Sequence, residues 1–457
     1  MRQQLLAWRL GLVAALDFLA AFEAGGCPVC RVQEEYLRRS IRWFLIENYN
    51  SPPTLRRLQA SHGFCWDHFA EIVVRTSPLE TWQMSFVTEV LVQQQRILVR
   101  RALASLQSPW KRLANSMVAV WKQFVAQQGC PLCEDSRVWR EWATSGLVDL
   151  WEHVEPPDRL TGGMICLPDL AQAWRYSDRA TRILIHRRAL EDIARLLTAP
   201  TEGHDITTLK NFLCGEAPPN SSSAKGAPLA SELAGRPRTR RRPRAKTDTF
   251  GPTWGFEAGT PILECFQTSV CPVCYQAETA DARFLASQNV RMSPELLCRA
   301  HLARLLEHAA QAKEPALVAA MARKLGEELA GAFASNGARP ERRANCPACS
   351  QVWTTTLTAA EAVVAMLRTE PGATSFASTG VICARHLPHV LRWASRAEAI
   401  TILQRYDTVL RRLAYLLAEY HRKRDYRYKD EPRGEEQEAW RQAIALLAGF
   451  RKAEGLR

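Results

Sequence analysis

The sequence predicts an all-α protein in which one helical plan is used twice, and three observations carry that prediction. Apolar residues recur three and four apart over long stretches, and nowhere do four to eight residues alternate between turn signals as a half-buried strand would. Four Cys-Pro-x-Cys pairs are each answered 24 to 35 residues later by a third cysteine with a metal-capable residue three places after it. A stretch rich in Pro, Ser, Gly and Arg separates the first two pairs from the last two.

Taken in order, the stretch from Leu5 to Ala21 is apolar, but Arg9 and Asp17 interrupt it and only Arg2 leads it. It falls short of the roughly 20 apolar residues of a membrane span and lacks the basic start of a signal peptide. Leu12, Leu16, Leu19 and Phe22 recur at helical spacing, so an amphipathic helix running into Cys27 is expected, with no membrane partner. Beyond Cys30, residues Tyr36, Leu37, Ile41, Phe44 and Leu45 form one face of a helix from Val32 to Asn48. A proline then sits 22 or 23 residues after the second cysteine in modules one, two and four (Pro52, Pro156, Pro371), and a proline cannot continue the helix. The chain turns back there and passes through glycine into the third cysteine; module three lacks about ten of these residues.

The four ligand sets, as read along the chain, are Cys27, Cys30, Cys65 and His68; Cys130, Cys133, Cys166 and Asp169; Cys271, Cys274, Cys298 and His301; and Cys346, Cys349, Cys383 and His386. The reach of the returning chain predicts pairing within each module, a helical hairpin closed at its base by a metal; exchange between neighbouring modules satisfies the same ligand count. Three sets are Cys3His, which is one tetrahedral zinc site each. The second has Asp169 in place of histidine, so its site is either filled through the carboxylate, completed by His153 or His186, or lost. Three zinc ions are therefore expected, and four if the Asp169 site is filled. An iron–sulfur cluster is the alternative cofactor, although histidine is the minority ligand there.

The linker sets the organisation: a first double-module domain over 1–214, a basic disordered linker over 215–253, and a second double-module domain over 254–457. Long helical material follows the first module of each half (Leu79 to Leu106, Leu302 to Phe333). The run from Ile183 to Leu197 matches Ile402 to Leu417 in its spacing from the preceding third cysteine, as duplication of a whole unit predicts. The net charge is +13, and seven of the basic residues (Arg236, Arg238, Arg240, Arg241, Arg242, Arg244 and Lys246) fall within eleven residues of the linker. These are the candidate nucleic-acid contacts, although no aromatic residue interleaves them as base stacking would require.

Cys-Pro-x-Cys also suits a redox dithiol, which gives a second alternative, a thiol redox or metal sensor. Against it, no βαβ pattern surrounds any pair, and each pair has a downstream partner that a dithiol does not need. Three closed Cys3His sets leave no open position for a catalytic water, and no phosphate loop, H-E-x-x-H or G-x-S-x-G occurs. The reading is thus a non-catalytic, zinc-binding scaffold with a protein partner. The unpaired Cys214 and Cys265 and the close cysteine pairs fit reduced ligands in a cytoplasmic protein better than a disulfide framework.

Gly63-Phe64-Cys65-Trp66-Asp67-His68-Phe69, its altered counterpart Cys166-Leu167-Pro168-Asp169-Leu170, and the closing run from Asp425 to Glu436 followed by Ala439-Trp440-Arg441 carry a further resemblance. The chain resembles a family of uncharacterised bacterial proteins with two C-P-x-C…G-F-C-x-x-H units and a charged, tyrosine-rich closing signature. That resemblance implies an all-α fold and metal binding, with no established activity. Asp425, Tyr426, Arg427, Asp430, Glu431, Glu435 and Trp440 are the candidate ligand surface; the structural alternative is a charged turn between helices. Trp43, Trp66, Trp82, Trp121, Trp139 and Trp142 lie in helical segments and are expected to line the core or grooves.

Overall fold

The computed structural model describes residues 17–18, 20–21, 26–77, 80–107, 115–153, 165–185, 187, 191, 260–267, 270–287, 297–311, 346–428 and 430–449, and among them all regular structure is helical, with no strand. The linker with its basic run, Cys214, and most of the N-terminal apolar stretch lie outside the described residues. So do the whole of the segment from Lys313 to Phe333 and most of Leu184 to Leu197.

Each Cys-Pro-x-Cys turn starts a helix in the same way. In α1 (Pro28–Trp43) Cys27 is the N-cap in extended conformation and Pro28 takes the first helical position, where its missing N–H leaves nothing unsatisfied. The same arrangement opens α9 (Pro272–Ala286) and α11 (Pro347–Met366), and α6 (Pro131–His153) likewise begins at its proline, which places the second cysteine of each pair in the first turn. A π-type turn, Phe44–Asn48, extends α1, and Leu37, Ile41, Phe44 and Leu45 are buried as the periodicity predicts.

Ser51 then caps α2 (Pro52–Ser61), accepting a hydrogen bond from the Thr54 N–H, and Pro52 starts this helix as much as it stops the previous one. The C-cap His62 (φ 56°) and Gly63 (φ 99°) are both left-handed and turn the chain into Cys65. A Cβ at Gly63 would stand 3.1 Å from the Phe69 ring, so this position needs glycine for space as well as conformation. Cys65 caps α3 (Trp66–Arg75), and Cys166 caps the corresponding α7 (Leu167–Tyr176).

Two pairs of Cys-Pro-x-Cys helices pack side by side: α1 on α6, and α9 on α11. Gln33 Nε2 donates to Ser136 Oγ at 2.6 Å and Tyr36 stacks on Trp139 with ring centroids 3.8 Å apart. One turn further along α6, Arg140 reaches the residues around Cys27, so α1 and α6 run in opposite senses past one another.

The long helices α4 (Thr81–Gln107) and α14 (Arg396–Arg422) form the principal contact between the sequence halves. They too are antiparallel: the Tyr420 hydroxyl donates to Thr81 Oγ1 at 2.8 Å at one end, and Arg396 donates to the Leu106 carbonyl at the other. One hydrophobic cluster runs from Leu37 and Val99 through Leu403 and Leu417 to Trp440 and Leu447. It also holds α5 (Asn115–Gln123) and α8 (Thr260–Gln267). A second cluster joins Val29, Leu147 and Leu170 to Leu302, Leu306 and Ala348. No helix among the described residues is long and apolar enough to cross a membrane.

Candidate metal centres

Among the described residues four groups of ligand atoms come together, each with every donor atom within 4.8 Å of the others: Cys65, His68, Cys130 and Cys133; Cys271, Cys274, Cys383 and His386; Cys298, His301, Cys346 and Cys349; and Cys27, Cys30, Cys166 and Asp169. Every ligand predicted from sequence is in a site, but the pairing within modules is overturned. Each Cys-Pro-x-Cys turn meets the third cysteine of the neighbouring module.

Helix geometry explains the exchange. The chain leaves Cys27 over the 16 residues of α1 and 5 of the π-type turn, about 30 Å at 1.5 Å per residue, and returns over the 10 residues of α2, about 15 Å. The return therefore ends about halfway, where the antiparallel α6 begins. The expectation that the roughly 13 residues from Pro52 to Cys65 retrace the first helix as a short helix plus turns fails because, at 1.5 Å per residue, the returning helix covers only about half of it. The second half repeats the arithmetic, with 20 residues out in α11 and 9 back in α12 (Glu370–Ser378).

The separations suit a tetrahedral ion. Metal–sulfur bonds of about 2.3 Å place tetrahedral sulfurs about 3.8 Å apart, whereas a disulfide would hold them at about 2.05 Å. The pairs Cys65–Cys133, Cys274–Cys383 and Cys298–Cys349 are 3.7, 3.6 and 3.7 Å apart. His68 Nδ1 lies 3.1 to 3.5 Å from its three sulfurs, His301 Nδ1 3.1 to 3.5 Å, and His386 Nδ1 3.2 to 3.8 Å. In all three histidine sites it is Nδ1 that faces the sulfurs, which leaves Nε2 for an outer partner. At His301 that partner is Asp281, whose Oδ1 lies 3.1 Å from Nε2, and Arg304 pairs with Asp281 in turn.

At the fourth site Asp169 Oδ2 lies 3.2, 3.3 and 2.9 Å from the sulfurs of Cys27, Cys30 and Cys166, and Cys30 and Cys166 are 3.6 Å apart. The other oxygen, Oδ1, accepts from Arg140 Nε at 2.6 Å. Neither His153 nor His186 is needed to complete the set; the His153 side chain and His186 are outside the described residues. Arg140 has no signature in the sequence beyond its place seven residues after Cys133, and so went unread there.

The close approach of the donor atoms shows in their proton affinities. Burial pushes the Cys27 and Cys166 thiols well up; at the other sites Cys133, Cys274 and Cys349, as donors to neighbouring sulfurs, are pushed up, while the neighbours Cys130, Cys271 and Cys346 are pushed down although burial opposes it. Burial opposes protonation of His301 and His386, yet the sulfur charge around them raises the first to about 9 and the second to about 10.

A further residue that sequence reasoning missed is Gly449, at the end of α15 (Ala439–Ala448). Its backbone is at φ 92° and ψ 165°, and a Cβ there would stand 3.1 Å from Cys274 Sγ and 3.5 Å from Cys383 Sγ. The Ala384 N–H donates to the Leu446 carbonyl at 2.8 Å, so the end of α15 is laid over this site. The signal was present in the sequence only as a glycine after an apolar helix.

The closing run holds itself together. Arg422 bridges Glu419 and Glu431, Arg427 pairs with Asp425, Arg412 with Glu435, and Lys423 Nζ meets Glu436 at 3.2 Å. Trp440 is buried in the core, while Tyr426 and Asp430 are at the surface. Of the tryptophans, Trp121 is buried and Trp139 and Trp142 pack on one another, but Trp43 is 57% exposed and bonds Glu47, contrary to the expectation of a core or groove position. At the end of α1 it projects past the face that Ile41 and Leu45 bury.

The fold and its sites thus define a class, an all-helical protein whose Cys, His and Asp groups could hold four metal ions. Comparison with protein-family models, with curated proteins and with solved structures finds no match to the chain.

Proposed function

We propose that the protein is a zinc-stabilised, non-catalytic helical scaffold of the cytoplasm that presents its helical surface to a protein partner. The observation that carries this reading is the fit of the Cys3His sets to a closed tetrahedral shell, with sulfur pairs 3.6 to 3.7 Å apart and no disulfide. Soft thiolates with one imidazole favour zinc over harder cations, and four protein ligands leave no position for a reacting water. On this reading 1–214 and 254–457 are duplicated units joined by the linker 215–253. Elemental analysis of the purified chain tests it, with at least three zinc atoms per chain expected; a stably folded chain that binds no metal refutes it.

A second reading, thiol-based sensing, is favoured by one observation. Cys133, Cys298 and Cys349 are only half-buried, whereas all three cysteines of the Cys27 and Cys271 sites are buried. Under mild peroxide this reading predicts zinc release first from the Cys65 and Cys298 sites, reversed by thiol reductant. Release in no order, or none before unfolding, leaves the scaffold reading alone.

A further inference from the structure

The Cys27 and Cys298 sites share two features. Each joins the Cys-Pro-x-Cys turn of one module to the third-cysteine helix of its neighbour, and both border the same hydrophobic cluster. In each, the residue seven places past the second cysteine of the crossing helix touches the ligand that is not sulfur. That residue is Arg140 against Asp169 in the first, and Asp281 against His301 in the second.

The two pairs are charge-reversed. A divalent ion with three thiolates and a neutral imidazole carries one net negative charge; replacing the imidazole by carboxylate makes it two. Arg140 removes the extra charge at the Asp169 site. At the His301 site Asp281 adds a charge and Arg304 removes it. Counted over ion, ligands and outer partners, both sites come to the same total, which matters because an unbalanced buried charge is costly.

Geometry supports the same division of labour. Asp169 is fully buried and the Arg140 side chain is 16% exposed. One carboxylate oxygen faces all three sulfurs and the other faces only the guanidinium among these groups, so the carboxylate is oriented to offer a single oxygen to the centre of the set.

We propose that Asp169 and Arg140 together replace histidine, so that Cys27, Cys30, Cys166 and Asp169 bind a fourth divalent metal ion, with Arg140 as the positioning residue that orients the carboxylate and balances its charge. This rests on the reading that the Cys3His sets bind zinc.

The test is zinc stoichiometry on the full-length chain, followed by competition with a chromogenic chelator for wild type, Arg140→Met, Arg140→Lys and the double variant Asp169→His with Arg140→Met. Wild type should hold four zinc atoms. Loss of an outer partner typically lowers metal affinity about 10- to 100-fold, so Arg140→Met should weaken one of the four release steps by that factor. Arg140→Lys should recover part of the loss, and the double variant should restore a tight fourth step. Cobalt substitution supplies a readout independent of folding yield, since three Cys3His centres and one centre with an oxygen ligand absorb differently. Three zinc atoms, with Cys27, Cys30 and Cys166 alkylated in the native chain, overturn this inference alone, as does an Arg140→Met chain with four unchanged release steps. No zinc at all overturns the underlying reading as well.

Discussion

Replacing Cys65 by serine distinguishes the crossed ligand pairing from pairing within modules by the identity of the thiols set free. In the structure Cys65 shares its site with Cys130 and Cys133, 68 residues along the chain from the latter, while Cys27 and Cys30 belong to Cys166, 136 residues from Cys30. Treating a bound metal as a cross-link, closing loops of those lengths restricts the unfolded chain by about 4 and about 5 kcal/mol. A 35-residue loop from Cys30 to Cys65 would give about 4 kcal/mol as well, so the size of the destabilisation does not choose between the pairings. Thiol footprinting does. Native Cys65→Ser protein, alkylated briefly and mapped by mass spectrometry, should show Cys130 and Cys133 newly reactive and Cys27 and Cys30 as protected as in wild type, with one zinc atom fewer per chain. Reactivity appearing at Cys27 and Cys30 instead, with Cys130 and Cys133 still protected, would refute the crossed arrangement and the helix-length argument behind it.

Gly449→Ala introduces a Cβ 3.1 Å from Cys274 Sγ at a backbone conformation open essentially to glycine alone, so a loss of about 1 to 3 kcal/mol is expected, with faster zinc release confined to the Cys271 site in chelator kinetics. Glu398 caps α14 through Ser395 and is held at about 2, first by Arg368 and then by the Ser395 contacts. Because its folded-state value lies below the ordinary one, its contribution is present at neutral pH and is lost as pH falls from about 4 towards 2; the difference in urea midpoint between wild type and Glu398→Gln should be constant above about pH 5 and shrink below it. Tyr420→Phe removes the hydroxyl that donates to Thr81 across the α4–α14 contact and should cost about 1 kcal/mol by urea unfolding, with zinc content unchanged.

The helices and the individual ligand residues were legible in the sequence because both depend on local spacing. Leu37, Ile41, Phe44 and Leu45 share a face whatever that face packs against, and Cys-Pro-x-Cys places two sulfurs on one first turn through the proline alone. Ligand pairing was not legible, because it depends on where a long helix and a shorter returning one leave the chain in space, and on which neighbour lies there. Arg140 and Asp281 were hidden for the same reason: each sits seven residues from its own cysteines but touches the ligand of another site. The duplicated spacing was visible, yet the long contact joins α4, which follows module one, to α14, which follows module four. No periodicity within either helix specifies that partner.

The closing run gains a physical rationale from what it connects. The chain must leave the 27-residue α14, reverse over a short distance, and deliver α15 onto α4, with Gly449 over the Cys271 site. A reversal at Pro432 and Gly434 has few apolar contacts to hold it, and the charges supply the alternative: Glu436, buried beside the turn, accepts from the Gly434 N–H at 2.8 Å and meets Lys423, whose Nζ also donates to the Pro432 carbonyl at 2.7 Å. Exposed pairs such as Arg412–Glu435 contribute little singly. The Lys423–Glu436 pair is different because both side chains are largely withdrawn from water, at 15% and 6% exposure, and Glu436 fixes the turn's own backbone. The strap therefore fixes where α15 begins, and the far end of α15 carries Gly449 to within a Cβ's reach of Cys274 and Cys383.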